Sequence, residues 1–516
     1  MRQIQLKIQK VMAICMLLSF TLTQISYGIT PAEEEKLAKK FMKTVDRQVK
    51  LVKDPVIQAY VEKVGKRIVG VLPPQSFSYH FYVVEEPVYN AFAGPAGHIF
   101  INSGLFADME SYEELAAILG HEITHVDCRH ISDKMEKSKK IGIASIAGLV
   151  AAIGLGVAGA GVAANAALAG TLAASQQLML AYSREDEMQA DQVGLIYLTD
   201  AGYNADGLLD ALKRIRSRQW FGKDIVPTYM MTHPALEDRI AYVDGWVESH
   251  QERKKKENPS DRTAFLTAQN RLIALYLDPE TAIKRLKDRM SQNPNLFSNP
   301  YGYGLVMMRT GDLSSAEIHM KKALGIRPLD PDLLADLGQV YFLQGRYEDA
   351  GKVLSGALGM NAENQNALFY MGRTRLMEND FFGAKEVLEK LEALKSSFPE
   401  VQYYLANAHE GLGRKDLSSY HLALHYEQKG DWENAIGQLK RAISFSKDPA
   451  ETDRMKERLR EFEKSKKSDL EEADDSKSRN LSSDMHRFRE LTNEAPQVLT
   501  DPARHPMRGQ NGKIAW

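Results

Sequence analysis

Residues 111–130 read SYEELAAILGHEITHVDCRH. Ser111 with Glu114 three positions on forms a capping box that starts a helix. Leu115, Ile118, Leu119, Ile123 and Val126 then recur at helical spacing. HEITH, residues 121–125, therefore lies within a helix, where the fourth residue returns to the same face. His121 and His125 can aim both imidazoles at one metal ion, with Glu122 beside the first of them. That is the spacing of a catalytic zinc helix, although such a short motif can also arise by accident. The rest of the chain has to supply what such a site still lacks.

The chain has 516 residues, 44% hydrophobic and 26% charged, which suits cores in two or more domains. A formal net charge of −2 leaves no basic surplus for a nucleic-acid partner. The segment Met1–Gly28 follows a secretory plan. Arg2, Lys7 and Lys10 lead into an apolar stretch, Val11–Thr23, that is short for a bilayer span. Ser26-Tyr27-Gly28 then offers a small-x-small exit, so a signal peptide cut after Gly28 and export are expected. Cys15 belongs to that leader, which leaves Cys128 alone and no internal disulfide.

Residues 29–250 read as one mixed domain. Helical periodicity runs through PAEEEKLAKKFMKTVDRQVK and DPVIQAYVEKVGKRIVGVL, and strand patterns follow in FSYHFYVV (77–84) and HIFINSG (98–104). Gly94-Pro95-Ala96-Gly97 is the turn signal between strands. No charged residue occurs between Lys140 and Arg184. This Ala- and Gly-rich run over 141–183 suits a close-packed helical hairpin or peripheral contact with a membrane surface; Asn165, Gln176 and Gln177 weigh against a span.

QERKKKENPSDR (251–262) reads as a linker, and beyond it the chain repeats. Gly311, Gly345, Asn379 and Gly413 follow one another at a constant step (345−311, 379−345, 413−379), and Ala282, Ala316, Ala350 and Ala384 keep the same step. Its length is the tetratricopeptide period, so residues 263–463 are expected to form an all-α solenoid with a binding groove. Gly430 arrives half a period after Gly413 (430−413), which implies one helix shared by two repeats or an interrupted register. The charged, Ser-rich tail over 464–516 reads as largely disordered.

A hydrolytic zinc site takes three protein ligands and keeps one position for water. The metzincin route to a third ligand is excluded, because Cys128 and Ile131 stand where its Gly and His belong. His130 comes one position early, and nine residues past His121 is about 180° round a helix, so His130 is expected to face away. Cys128 lies about 10 Å along the axis from His121 and reads as a structural thiol. The other route is a carboxylate from YSREDEMQADQVGLIYL (182–198). There Glu187 and Asp191 share a face, so Glu187 could ligate while Asp191 accepts the free N–H of a ligating histidine; Glu185 competes as ligand.

HEITHVDCRH, SREDEMQAD and the preceding NAFAGPAGHIFINSGLF together resemble the HtpX/CAAX-protease class of zinc gluzincin peptidases. The signal peptide and C-terminal repeats resemble its periplasmic BepA-like branch, and the likeness spans roughly residues 30–460. It implies one Zn²⁺ on His121, His125 and Glu187, Glu122 as catalytic acid/base, and an α+β zincin-like domain ahead of the solenoid. It also implies that His98, Ile99, Phe100, Ile101, Asn102 and Ser103 form an edge strand pairing with extended substrate. MMTHPALEDRI (230–240) is similar to the branch's His-Pro-Leu segment. There His233 would occupy the fourth zinc position and hold the enzyme latent, and Arg239 would lie near the reacting centre as a candidate oxyanion donor. Ala235-Leu236 departs from the Leu of that pattern. The function so implied is a periplasmic endopeptidase clearing unfolded or misassembled outer-membrane proteins, its repeats docking to the β-barrel assembly machinery. The rival is a chaperone or scaffold whose peptidase site is latent.

Overall fold

The computed structural model describes residues 29–140, 182–221, 228–256, 258–394, 398 and 400–467. The expected leader over 1–28, nearly all of the apolar 141–183 stretch and all but the first residues of the 464–516 tail lie outside them. The chain divides into two compact units, Met1–Phe398 and Pro399–Trp516. Helices dominate both, and one small sheet lies in the first.

Helix α1 (Pro31–Gln48) opens on a closed capping box, Thr30 with Glu33, and buries Ala38, Phe41 and Val45 along one stripe. Helix α2 (Pro55–Val69) is capped by Asp54, whose Oδ1 accepts from Val56 N and Ile57 N. The sheet follows: β1 (His80–Val84), β2 (Ala91–Ala93) and β3 (His98–Asn102), in spatial order β1-β3-β2. β3 pairs parallel with β1, from His80↔His98 to Val84↔Asn102, and antiparallel with β2, from Ala91↔Ile101 to Ala93↔Ile99.

The expected edge strand at His98–Ser103 is therefore corrected. β3 is the central strand, both of its hydrogen-bonding sides are taken, and Ser103 already begins helix α3 (Ser103–Asp108). The sequence shows why: HIFIN is a largely apolar run, the pattern of a strand buried on both faces. Phe100 packs edge-on to Phe41 of α1 and flat on Phe92 of β2. The outer side of β1 is covered too, through Val52 N to Val83 O and Glu85 N to Lys50 O. The short β2 went unread in the sequence.

Helix α4 (Tyr112–Asp127) carries HEITH and packs on β2 and β3. Ser111 Oγ accepts from Glu114 N at 3.2 Å. The capping box closes in one direction only, because the Glu114 carboxylate takes Glu110 N and the Arg214 guanidinium instead of returning to Ser111. Helix α5 (His130–Lys140) follows a sharp turn at Arg129, whose φ is +62°. Helix α6 (Arg184–Asp200) is capped by Ser183 and Asp186 and lies against α4. At the crossing a Cβ on Gly194 would sit 3.3 Å from Thr124 Oγ1 and 3.7 Å from Gly120 O. Helices α7 (Asp206–Phe221), α8 (Thr228–Thr232) and α9 (Leu236–Ser249) complete this part.

The repeats are α10 (Pro259–Tyr276), α11 (Pro279–Gln292), α12 (Ser298–Arg309), α13 (Leu313–Ile326), α14 (Pro331–Leu343), α15 (Tyr347–Met360), α16 (Gln365–Met377) and α17 (Phe381–Ala393) in the first unit. In the second stand α18 (Val401–Gly411), α19 (Lys415–Gln428), α20 (Trp432–Phe445) and a helical stretch over 449–467. Gly311, Gly345, Asn379 and Gly413 all adopt left-handed φ between 60° and 89°, so the constant step marks helix C-caps. Ala282, Ala316, Ala350 and Ala384 are fully buried. A Cβ on Gly338 or Gly372 would strike Leu354 or Leu388 at 2.5 and 2.6 Å, so these glycines set the close helix crossings. Gly430 has a left-handed φ of its own, and α19 packs on both α18 and α20. One helix is thus shared between two pairs.

The first repeat helix locks onto α3 and the N-cap of α2. Gln269 Nε2 donates to Phe106 O and Met109 O. Arg271, buried, donates Nε to Asp54 Oδ2 at 2.6 Å, Nη1 to Tyr301 and Asp336, and Nη2 to Asp336 Oδ1. In α14, burial raises the Asp332 carboxyl to about 6. Its folded pKa then exceeds the unfolded value, so stability falls as pH rises from about 4 through about 6. Asp332→Asn keeps an acceptor for Asn364 Nδ2 and escapes that loss. Its melting temperature is expected to exceed wild type at about pH 7.5 and to match it at about pH 4. No helix among the described residues is long and apolar enough to cross a membrane.

Candidate active site

His121 and His125 sit one turn apart on α4, their Nε2 atoms 3.0 Å from each other. α6, seated against that turn through Gly194, delivers Glu187: its Oε2 lies 3.4 Å from His121 Nε2 and its Oε1 3.4 Å from His125 Nε2. His233, in the turn after α8, places Nδ1 3.0 Å from Glu187 Oε1. One donor from each of these four residues lies within 4.8 Å of the others, and all four are buried.

The set fits zinc. Four ligands at about 2.0–2.1 Å in a tetrahedron stand roughly 3.4 Å apart, close to the separations found here. Charge argues the same way. Glu122, Glu187 and Asp191 are buried with a single guanidinium, Arg239, and a divalent cation would cancel the remaining carboxylate charge. Neither oxygen of Glu122 has a hydrogen-bond partner.

Burial alone would push the Glu187 carboxyl up, but His233 and Arg239 outweigh it and hold it well below the carboxylate range. Burial also drives His125 well below its ordinary value, which keeps its ring neutral. On His121, burial and Arg239 oppose protonation, yet the bonds to Asp191 and Glu187 prevail and raise it to about 9. A cation entering there displaces that proton. Burial raises Glu122, against the pull of His233 and His121.

Asp191 lies behind His121, its Oδ1 2.9 Å from Nδ1, which orients the ring with Nε2 toward the cluster. Arg239 holds Asp191 through Nε and Nη2 at 2.7 and 2.8 Å, and its Nη1 lies 2.6 Å from Glu187 Oε2. The guanidinium expected to face a developing oxyanion thus lies between Asp191, behind His121, and Glu187 of the cluster itself. Glu185 is exposed on α6. Cys128 ends α4 outside the cluster, its thiol raised to about 11 by burial.

His130 is corrected. The turn at Arg129 ends α4 and starts α5 on a new axis, so His130 does not face away as it would on one continuous helix. Its Nδ1 lies 2.9 Å from His125 Nδ1. Two aromatic walls also went unread: Tyr182 stacks on His125 at 3.6 Å between ring centroids, and Tyr229 on His233 at 4.2 Å. The signal for Tyr182 was its place just before the cap of the carboxylate helix. Nothing local marks Tyr229.

Comparison with known proteins places these residues in context. Residues 48–247 match the model of peptidase family M48, and residues 307–371 match a tetratricopeptide repeat model. The chain is 30% identical over 248 residues to a putative beta-barrel assembly-enhancing protease of Vibrio cholerae, covering 47% of this chain and 49% of that one. It is 25% identical over 324 residues to the beta-barrel assembly-enhancing protease of Yersinia pestis, covering 61% and 65%. It is 26% identical over 201 residues to the mitochondrial metalloendopeptidase OMA1 of Schizosaccharomyces pombe, covering 38% and 55%. The matches thus span 49% to 65% of these relatives' lengths.

Proposed function

We propose, from the match of residues 48–247 to peptidase family M48 and the four-donor site within them, that this chain is a zinc-dependent endopeptidase of the HtpX/CAAX-protease gluzincin class. One observation carries the reading: His121, His125 and Glu187 converge at ligand spacing while the Glu122 carboxylate stands buried beside them without a hydrogen bond, its Oε1 3.5 Å from His233 Nε2. Zinc, when bound, supplies a Lewis acid and lowers the pKa of a water from about 15.7 to near 7. Glu122 is placed to take a proton and return it to the leaving amine. Asp191 orients His121, and Arg239 steadies Asp191 and Glu187. The division into a 1–28 signal peptide, a 29–250 peptidase domain, a 251–262 linker, a 263–463 solenoid and a 464–516 tail belongs to the same reading.

Substrate is proposed to be unfolded chain, which offers free backbone to a strand edge where folded proteins do not. β2 is the strand with one unpaired side, and the segment around α8 now lies along it: Tyr229 N donates to Tyr89 O, and His233 Nε2 is 3.3 Å from Ala91 O. Relatives named for enhancing β-barrel assembly support misassembled outer-membrane proteins as clients, in the periplasm, with the repeats docking client or assembly machinery. Peripheral membrane contact through 141–183 is part of this proposal. The second reading, a chaperone with a latent site, is favoured by His233 itself, which holds both Glu187 and the edge of β2.

Metal analysis and casein cleavage test both. The purified chain is expected to carry zinc, and chelation to abolish cleavage. His233→Ala is expected to raise cleavage by roughly tenfold or more, as removal of about 1.4 kcal/mol of closing contact would. A metal-free chain, or no cleavage by either protein, sinks the peptidase reading. Equal cleavage by both sinks latency alone.

A further inference from the structure

We propose that His130, backed by Gln189, is a positioning residue that fixes the tautomer and ring orientation of His125; this rests on the metal-site reading above. A histidine binds zinc through a bare ring nitrogen, and what its other nitrogen bonds to decides which one is bare. His121 has a carboxylate for this, Asp191. At the corresponding nitrogen of His125 the partner is another imidazole. His125 Nδ1 meets His130 Nδ1 at 2.9 Å, both rings being buried.

Two imidazole nitrogens that close share one proton, so one of them must be bare. The outer end of the chain decides which. His130 Nε2 lies 3.0 Å from Gln189 Oε1, a carbonyl oxygen that can only accept, and 3.8 Å from Asp186 Oδ1. Both neighbours call for a proton on His130 Nε2. In the neutral ring Nδ1 is then bare and accepts from His125 Nδ1–H. His125 Nε2 is left with its lone pair facing His121 Nε2 and Glu187 Oε1. Were the Gln189 amide turned over, its NH₂ would donate to His130 Nε2 and every proton in the chain would shift by one place. His125 would then present an N–H to the cluster and could not ligate. The direction of one surface amide thus reaches the ligand through two rings.

The turn at Arg129 makes this reach possible, since its left-handed φ of +62° redirects the chain immediately before His130. Gln189 lies on α6, two positions from Glu187, so the helix that brings the carboxylate ligand also brings the acceptor that sets the tautomer.

The experiment compares full-length wild type with His130→Leu, His130→Asn and Gln189→Leu. Zinc affinity is read by chelator competition and ligand geometry by the visible spectrum of the cobalt(II)-loaded chain. His130→Leu is expected to weaken zinc binding by roughly 10–100-fold, the usual effect of losing such a partner, and to alter the cobalt spectrum. Gln189→Leu is expected to fall between His130→Leu and wild type. His130→Asn keeps an acceptor oxygen where Nδ1 stood and is expected to restore affinity and spectrum, which a loss of packing would not allow. Wild-type affinity and spectrum in His130→Leu, or equal loss in the Leu and Asn variants, overturns the inference while leaving the metal site standing. A wild-type chain that takes up neither metal overturns the metal site and this inference together.

Discussion

Glu122→Gln is expected to lower casein cleavage by roughly 10²–10⁴-fold while zinc content stays that of wild type. The substitution keeps the volume and removes only the ability to accept a proton. It should not harm the fold, because neither carboxylate oxygen has a hydrogen-bond partner and burial already disfavours the charge. The variant is therefore expected to melt at or above the wild-type temperature, which separates lost chemistry from lost structure. Retained cleavage would mean that another group moves the proton. Loss of zinc with the activity would make Glu122 a ligand, contrary to the role given to Glu187.

The second large effect lies outside the site. Arg271→Met is expected to destabilise the first unit by about 3–5 kcal/mol, the cost of stranding buried charge. Asp54 and Asp336 would be left facing each other without their cation. Asp54 would keep its capping bonds to Val56 N and Ile57 N, and Asp336 would keep Tyr301 Oη and Asn366 Nδ2. These neutral donors do not replace a guanidinium. Denaturant titration followed by tryptophan fluorescence measures the loss. Adding Asp336→Leu should recover part of it, because an apolar replacement of a buried pair costs far less than a broken pair. A loss below about 1 kcal/mol, or no recovery in the double variant, would show that water reaches the network. Arg271 joins the N-cap of α2 to repeat helices α12 and α14, so this prediction also tests whether the repeat helices and the sheet-bearing part of the first unit unfold together.

Much of the site was legible because its first elements are local. Two histidines four apart share a face on any α-helix, and Ser111 with the apolar stripe was enough to place HEITH on one. Glu187 and Asp191 were legible for the same reason, as an i, i+4 pair on a second helix. The solenoid was read from spacing alone, since a left-handed C-cap favours glycine or asparagine, and four such positions kept step. The irregular Gly430 announced a shared helix or an interrupted register, and the packing of α19 on both neighbours chose the first.

The misreadings share a different cause. Placing HIFIN at an edge overlooked that Ala91–Ala93 folds back beside it, and so short a strand carries no periodicity. His130 was put on the far side by extending α4 past Arg129, and no rule of sequence announces a left-handed arginine. What holds Arg239, expected as a candidate oxyanion donor, was not legible either: its Nε and Nη2 donate to Asp191 and its Nη1 lies 2.6 Å from Glu187 Oε2, both on the separate helix α6.

By itself, then, the sequence determined what a single helix or a fixed period can encode: the histidine couple, the carboxylate pair and the repeat register, each set by backbone geometry over a short stretch. Only the tertiary structure decided how these pieces meet. Gly194 lets two helices close until Glu187 reaches the imidazoles, a reversal at Arg129 turns His130 onto His125, and β3 takes the centre of the sheet. Such outcomes depend on packing between segments far apart in the chain, where the identity of one residue says little without the surface it meets.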